Sequence, residues 1–267
     1  MEKLAEGVYC RMDPEGRTNV GFIDCGDHLI FVDTTLFPYT TRTALTEARA
    51  ITNKPFKYLV NTHFHPDHTF GNQEFQCIIV AHKDTPELMR LHLPGELARR
   101  TETFPKENRS RLEEVKLTYP TQTFDNQMTL ESDPRIELIH VGGHTPDSLV
   151  VFLPDRGVVF CGDLIFSGYH PFLRDAAIDG WLKALDLLKN LNAKVVIPGH
   201  GLLTDAKGAD EMAHYLRTFR DNLIRLRKED HTKAELTQRP ELLNLPRRRR
   251  EERVAANIEA LYDRMPA

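Results

Sequence analysis

The segment 61–72, NTHFHPDHTFGN, sets His63, His65, Asp67 and His68 within six positions, directly after the short apolar run at 56–61. With 12 histidines in 267 residues, chance assembly of H-x-H-x-D-H has a probability of roughly two in a thousand. His63 and His65 leave an extended strand end two apart, so their side chains point the same way. Asp67 and His68 follow where the chain turns into a helix, and all four can converge on a small volume. Neutral imidazole and carboxylate are ligands for zinc, iron and manganese. Surface histidines on a loop would demand nothing of the rest of the chain, whereas a metal site needs further ligands at other strand ends. They are present. His144 in GGHTPDS follows the apolar run 135–141, Asp163 in CGDLIF ends the run 158–161, and His200 in IPGHG ends the run 194–197. A fold for this chain must therefore bring four strand ends to one rim.

The rest of the pattern is compatible with that demand. Residues 19–24 and 28–33 are apolar runs separated by Gly26-Asp27, a hairpin signal. Helical spacing follows at 40–51, then β runs at 56–61 and 77–81. The second half repeats the order: a strand at 135–141, a hairpin of 149–153 and 158–161 across Pro154-Asp155-Arg156-Gly157, a helix marked by Trp181, Leu182, Leu185 and Leu188, and a strand at 194–197. Helical faces then recur around 212–223 and 254–265. Two rounds of strands followed by helix imply two β layers with helices outside them. Residues 86–120 are charged and broken by Pro94 and Pro105. They read as a helical insertion outside the main core, either solvated or covering a site, with the solvated reading preferred. The arginine run 247–250 reads as a solvated helix start rather than a phosphate or RNA patch.

Lys and Arg total 35 against 39 Asp and Glu, a net charge of −4. This disfavours nucleic acid and anionic membranes as partners and leaves a small-molecule substrate as the expected one. No apolar run approaches the roughly 20 residues that span a bilayer, and residues 1–20 carry no signal-peptide pattern. The expected location is the cytoplasm, where Cys10, Cys25, Cys77 and Cys161 read as core thiols. The helical C-terminal part can pack on the core or on a second copy, so a homo-oligomer stays open.

The ordered set H-x-H-x-D-H, His in G-H-T, Asp in G-D and His in P-G-H-G, with an early Asp33 in FVDTT, resembles the metallo-β-lactamase-fold superfamily of hydrolases. The resemblance spans roughly residues 19–201. It implies an α/β fold, a four-layer αββα sandwich, as a single domain over 1–267 with the helical insertion around 86–120 and a helical C-terminal extension around 208–267. It further implies two divalent metal ions, zinc first with iron or manganese as alternatives. His63, His65 and His144 resemble the ligands of one ion, Asp67, His68 and His200 those of the other, and Asp163 the carboxylate bridging them.

The reaction this implies is hydrolysis by a metal-bridging hydroxide. Two divalent cations, two carboxylates and a hydroxide leave a net positive site that favours negative charge on substrate oxygen. Asp67 could orient the hydroxide. Tyr169 and His170, close in sequence to Asp163, are candidate hydrogen-bond donors to a substrate oxygen. Asp33, Thr62, Thr145 and Ser148 are candidates to hold the ligating rings. Asp163 at the bridging position suits lactonase- and glyoxalase-like branches better than true β-lactamases, so an ester-like, lactone or thioester bond is the first expectation. A phosphodiester or sulfate ester hydrolase and a mononuclear iron persulfide dioxygenase are the alternatives. Flavin-linked di-iron relatives place Glu where His65 stands. A nuclease is disfavoured by charge and by the lack of room for a large inserted domain.

Overall fold

The computed structural model describes residues 1–13, 17–130 and 132–265. The first half runs through β1 (Glu2–Ala5), β2 (Val8–Arg11), β3 (Val20–Asp24), β4 (Leu29–Val32), α1 (Pro38–Ile51), β5 (Phe56–Val60), α2 (Pro66–Thr69) and β6 (Ile78–His82). Helices α3 (Thr85–Thr103) and α4 (Lys106–Glu113) precede β7 (Gln122–Phe124), β8 (Gln127–Leu130), β9 (Ile136–His140), β10 (Leu149–Leu153) and β11 (Val158–Phe160). The chain ends with α5 (Ile178–Asn190), β12 (Val195–Ile197), α6 (Ala206–Lys228), α7 (Lys233–Gln238) and α8 (Glu252–Leu261).

Strands β1 to β7 form one sheet in sequence order, and the other is ordered β12-β11-β10-β9-β8. Period-two alternation explains why both sheets are covered on both faces. In β4, Ile30 and Val32 point between the sheets, where they meet Leu149, Val151, Leu153, Val158 and Phe160. Leu29 and Phe31 point the other way, onto Ala44 and Ala48 of α1. In β10, Val150 and Phe152 face the opposite helical layer, with Trp181 of α5 and Leu216 and Phe219 of α6. This is the four-layer αββα arrangement. Trp181 is fully buried and its Nε1 donates to Leu164 O at 3.0 Å. Truncating a buried Trp costs about 3–5 kcal/mol.

Two segments differ from their sequence reading. The 86–120 insertion is not merely solvated: Met89, Leu93 and Leu112 are buried against Phe37, Phe64 and Phe70, and Phe64 stands between two histidines of the metal motif. The arginine run is not a free helix start. Arg248 Nη1 donates to Phe166 O at 2.9 Å, and Arg249 N and O pair with Gly168 O and His170 N at 2.9 Å each. The Phe166 and Tyr169 carbonyls draw Arg248 inward, which a charge count cannot show, while Arg247, Arg249 and Arg250 stay exposed. No helix among the described residues is long and apolar enough to cross a membrane.

Candidate metal centre

The carboxyl ends of β5, β9, β11 and β12 lie at one edge of the sandwich: Leu149 pairs with His140 and Val151 with Phe160 antiparallel, β12 runs parallel to β11, and Leu149 N reaches Thr62 O just past β5. Each then releases its ligand within a few residues. His65 (φ −59°, ψ 148°) stands at the N-cap position of the short α2, whose first turn carries Asp67 and His68, and its side chain is left free of any capping bond. Asp163 lies in the turn after β11, and His200 follows Pro198-Gly199. Two glycines make the approach possible. A Cβ on Gly199 would sit 1.9 Å from Asp163 Oδ1, and Gly162, at φ +50°, packs where a Cβ would lie 2.6 Å from Thr62 Oγ1. The sheets are tied together here by Leu149 N donating to Thr62 O at 2.9 Å.

All seven ligand candidates converge in two adjoining groups, His63, His65, His144 and Asp163, and Asp67, His68 and His200, with the ligand atoms of each group within 4.8 Å of one another. His65 Nδ1 lies 3.2 Å from His63 Nε2 and 3.0 Å from His144 Nε2. Zinc–nitrogen bonds of 2.0–2.1 Å in a tetrahedron set ligand atoms about 3.3 Å apart, so this spacing fits one cation. Asp163 Oδ2 is 3.9 Å from His63 Nε2, 3.4 Å from His144 Nε2 and 3.3 Å from His200 Nε2. Its Oδ1 is 3.2 Å from His68 Nε2, yet these two buried atoms make no hydrogen bond. Buried polar atoms without partners are costly. These face a common point rather than each other, as ligands of a cation do.

A supporting layer fixes the rings. Asp33 accepts from Thr62 N and Thr62 Oγ1 at 2.7 Å each, and its Oδ2 lies 2.9 Å from His68 Nδ1. Thr62 Oγ1 is 3.1 Å from His63 Nδ1. Asp33 does this from φ +58°, a backbone region that short polar residues tolerate better than others. His65 Nε2 is held by Asp175 Oδ2 at 2.9 Å. Asp175 escaped the sequence reading because it lies 110 residues from His65, in a loop with no motif. Thr145 and Ser148 bond each other at 2.8 Å, and Thr145 also donates to Asp147 at 2.7 Å, which is local turn bonding. Replacing Asp33 by asparagine is expected to lower metal affinity by about 10–100-fold, as loss of a ring-orienting carboxylate does. A chelator-competition titration reads this, and an unchanged affinity would contradict the role.

The electrostatics divide the cluster. Burial, with nearby His68, pushes His63 well below the usual imidazole range, and burial pushes His144 down to about 3. Burial opposes protonation of His68 and His200 as well, but Asp163 outweighs it, raising His68 well above the ordinary value and His200 to about 9. Burial likewise disfavours ionised Asp163 and Asp67, yet the adjacent imidazoles hold both well below the carboxylate range.

Tyr169 and His170 are directed elsewhere. Tyr169 Oη accepts from Arg249 Nη1 at 3.0 Å, and His170 Nδ1 lies 2.8 Å from Tyr215 Oη. His170 lines a different cavity, beside Pro240 and Val254. Packing of the C-terminal extension against the 166–171 loop consumes both groups. The cavity that reaches the ligands, about 490 Å³, is lined by Asp67, His200 and Thr18 together with Phe37, Phe104 and several arginines. All four cysteines are free, and burial raises the Cys10 thiol to about 12, leaving it no thiolate character.

The sequence profile of the Metallo-beta-lactamase superfamily matches residues 13–200. The chain belongs to that superfamily. Among the relatives of this metallo-beta-lactamase superfamily member, a linear primary-alkylsulfatase from a Pseudomonas species is 28% identical over 235 residues, 74% of this chain and 44% of that protein. A beta-lactamase-like protein 2 homolog from Caenorhabditis elegans is 27% identical over 217 residues, 79% of this chain and 66% of that protein. The matches thus take in less than two thirds of either relative. The solved structure of the stereoselective inverting sec-alkylsulfatase Pisa1 from Pseudomonas superposes on 98% of this chain and 49% of that one, with a TM-score of 0.77 at 16% identity.

Proposed function

We propose that the protein is a metal-dependent hydrolase that cleaves an ester-type bond of a small molecule at two adjacent divalent cations. One observation carries this reading: seven buried or half-buried ligand side chains from four strand ends gather their ligand atoms into two adjoining groups, each within 4.8 Å. His63, His65 and His144 would hold one cation, Asp67, His68 and His200 the other, and Asp163 would touch both. Divalent cations held there supply Lewis acidity and lower the pKa of water from 15.7 to about 7. The chain's own groups do the rest. Asp67, which accepts from Thr18 Oγ1 at 3.3 Å, is placed to orient the attacking water. Asp33 and Asp175 keep the imidazoles aligned. The αββα frame leaves access through the cavity beside Asp67 and His200.

Carboxylic ester, lactone and thioester bonds are the first substrates of this proposal. Sulfate esters form the second, supported by the alkylsulfatase relative at 28% identity. A single-iron dioxygenase would leave Asp67, His68 and His200 without work. The test is a hydrolysis screen over lactones, thioesters, carboxylic esters, phosphodiesters and sulfate esters, before and after chelation and again after adding back zinc, manganese or ferrous iron. Turnover is expected to vanish with the metal and to return with it. Undiminished turnover by metal-free protein would reject the proposal.

A further inference from the structure

The cavity beside Asp67 and His200 has a lining that the hydrolytic reading does not use. Six arginines reach it, Arg11, Arg17, Arg100, Arg111, Arg250 and Arg253, against two carboxylates, Asp13 and Asp67. Some of that charge is already answered: Arg11 Nε meets Glu47 at 3.0 Å, Arg100 Nε meets Glu96 at 2.6 Å, and Arg250 Nη1 lies 3.6 Å from Glu252 at the surface. Arg253 is different. It is half-buried, its Nη1 donates to the His170 carbonyl at 2.9 Å, and its guanidinium lies 5.6 Å over the Phe166 ring. Among the described residues it forms no ion pair. Phe166 in turn stacks on His200 at 5.0 Å, so the guanidinium stands beside the ligand cluster with its remaining N–H donors uncommitted.

The backbone that presents these residues is built for it. Arg250 adopts φ +67°, a conformation an arginine takes only under constraint. The constraint is visible in the pairing of Arg249 with Gly168 and His170 just before it. Val254, Ile258 and Leu261 then anchor α8 in the core, which fixes Arg253 at the start of that helix. Leu36, Phe37, Phe104 and Pro105 add apolar surface to the lining, with the Arg100 guanidinium 5.3 Å over the Phe104 ring. A volume of about 490 Å³ is within the range of small-molecule sites.

We propose that Arg253 and Arg250, brought in by the C-terminal extension, form an anion-recognising end of this cavity, and that the substrate is an amphiphilic anion. Its apolar body lies along Phe37 and Phe104, and its carboxylate, sulfate-type or phosphate-type group meets the guanidinium donors, whose planar fork matches such oxygens. This rests on the hydrolase reading for what is cleaved, but the binding site can be tested apart from it.

The experiment is calorimetric binding of octanoate, octane-1-sulfonate and octylphosphonate, none hydrolysable, against neutral octanol, to metal-loaded and to chelator-treated protein. At least one anion is expected to bind about tenfold or more tightly than octanol, and the three head groups rank the source of the charge. Arg253→Gln is expected to weaken that anion by about tenfold while octanol affinity, metal content and melting temperature stay put, with Arg253→Lys recovering part of the loss. Arg250, exposed, gives a second variant, Arg250→Gln, should Arg253→Gln fail to fold. Equal binding of octanol and all three anions overturns the proposal, as does an Arg253→Gln loss shared equally by octanol, or no loss in either glutamine variant. An anion preference retained by a protein that hydrolyses nothing when loaded would sink the hydrolase reading and leave this site standing.

Discussion

Replacing Asp163 with alanine is expected to lower kcat/KM by on the order of a thousandfold or more, equivalent to several kcal/mol of lost Lewis-acid assistance. Among the described residues Asp163 is the one side chain whose oxygens approach histidines of both groups: His63, His144 and His200 through Oδ2 and His68 through Oδ1. Its removal deletes the negative charge that would hold two cations near each other. Metal analysis should show the bound metal falling along with the rate. Asp163→Asn, which keeps the volume and the close packing against Gly199, separates lost charge from lost shape. It should fold like the parent and still lose metal and rate. A fully loaded Asp163→Ala protein turning over at the parental rate would end the bridging role.

The second large effect is a pH dependence that differs between the two groups. In metal-free protein, His200 keeps its proton up to about pH 9, and His68 is raised as well, because the Asp163 carboxylate lies beside both. A cation entering that group must displace protons, so its apparent affinity falls by about tenfold per displaced proton for each pH unit below about 9. His63 and His144 are held neutral by burial. A cation there displaces no proton from His63 or His144 near neutrality, so its affinity should depend less steeply on pH than that of the other group. Zinc titrations at pH 6, 7 and 8, repeated in buffers of different ionisation enthalpy, should resolve one equivalent that releases fewer protons than the other. Two equivalents with the same slope would mean that the protons are shared across the whole cluster.

Much of this was legible in the residues because strand and ligand signals coincide. Leu29–Val32, Leu149–Leu153 and Val158–Phe160 are short, apolar and followed at once by turn residues, and burial on both faces removes any need for polar alternation. Strands β1, β2, β7 and β8 escaped: EKLA, QTF and QMTL are short, largely polar edges of sheets, and VYCR is an interior strand of only four residues. The insertion and the arginine run were under-read for a shared reason. Charge on a sequence does not reveal whether a backbone carbonyl or an aromatic ring waits to receive it.

The sequence by itself determined the ligand types, their order and the strands that carry them, because each signal is local: an apolar run, a turn, a histidine or an aspartate. Only the tertiary structure decided which of those groups meet, that Asp175 rather than Thr145 or Ser148 holds a ligating ring, that Tyr169 and His170 are consumed by the C-terminal extension, and that Arg253 stands beside the cluster. Several of those contacts join residues 80 to 110 positions apart. They exist only once burial of the two sheet faces has fixed the loops against one another.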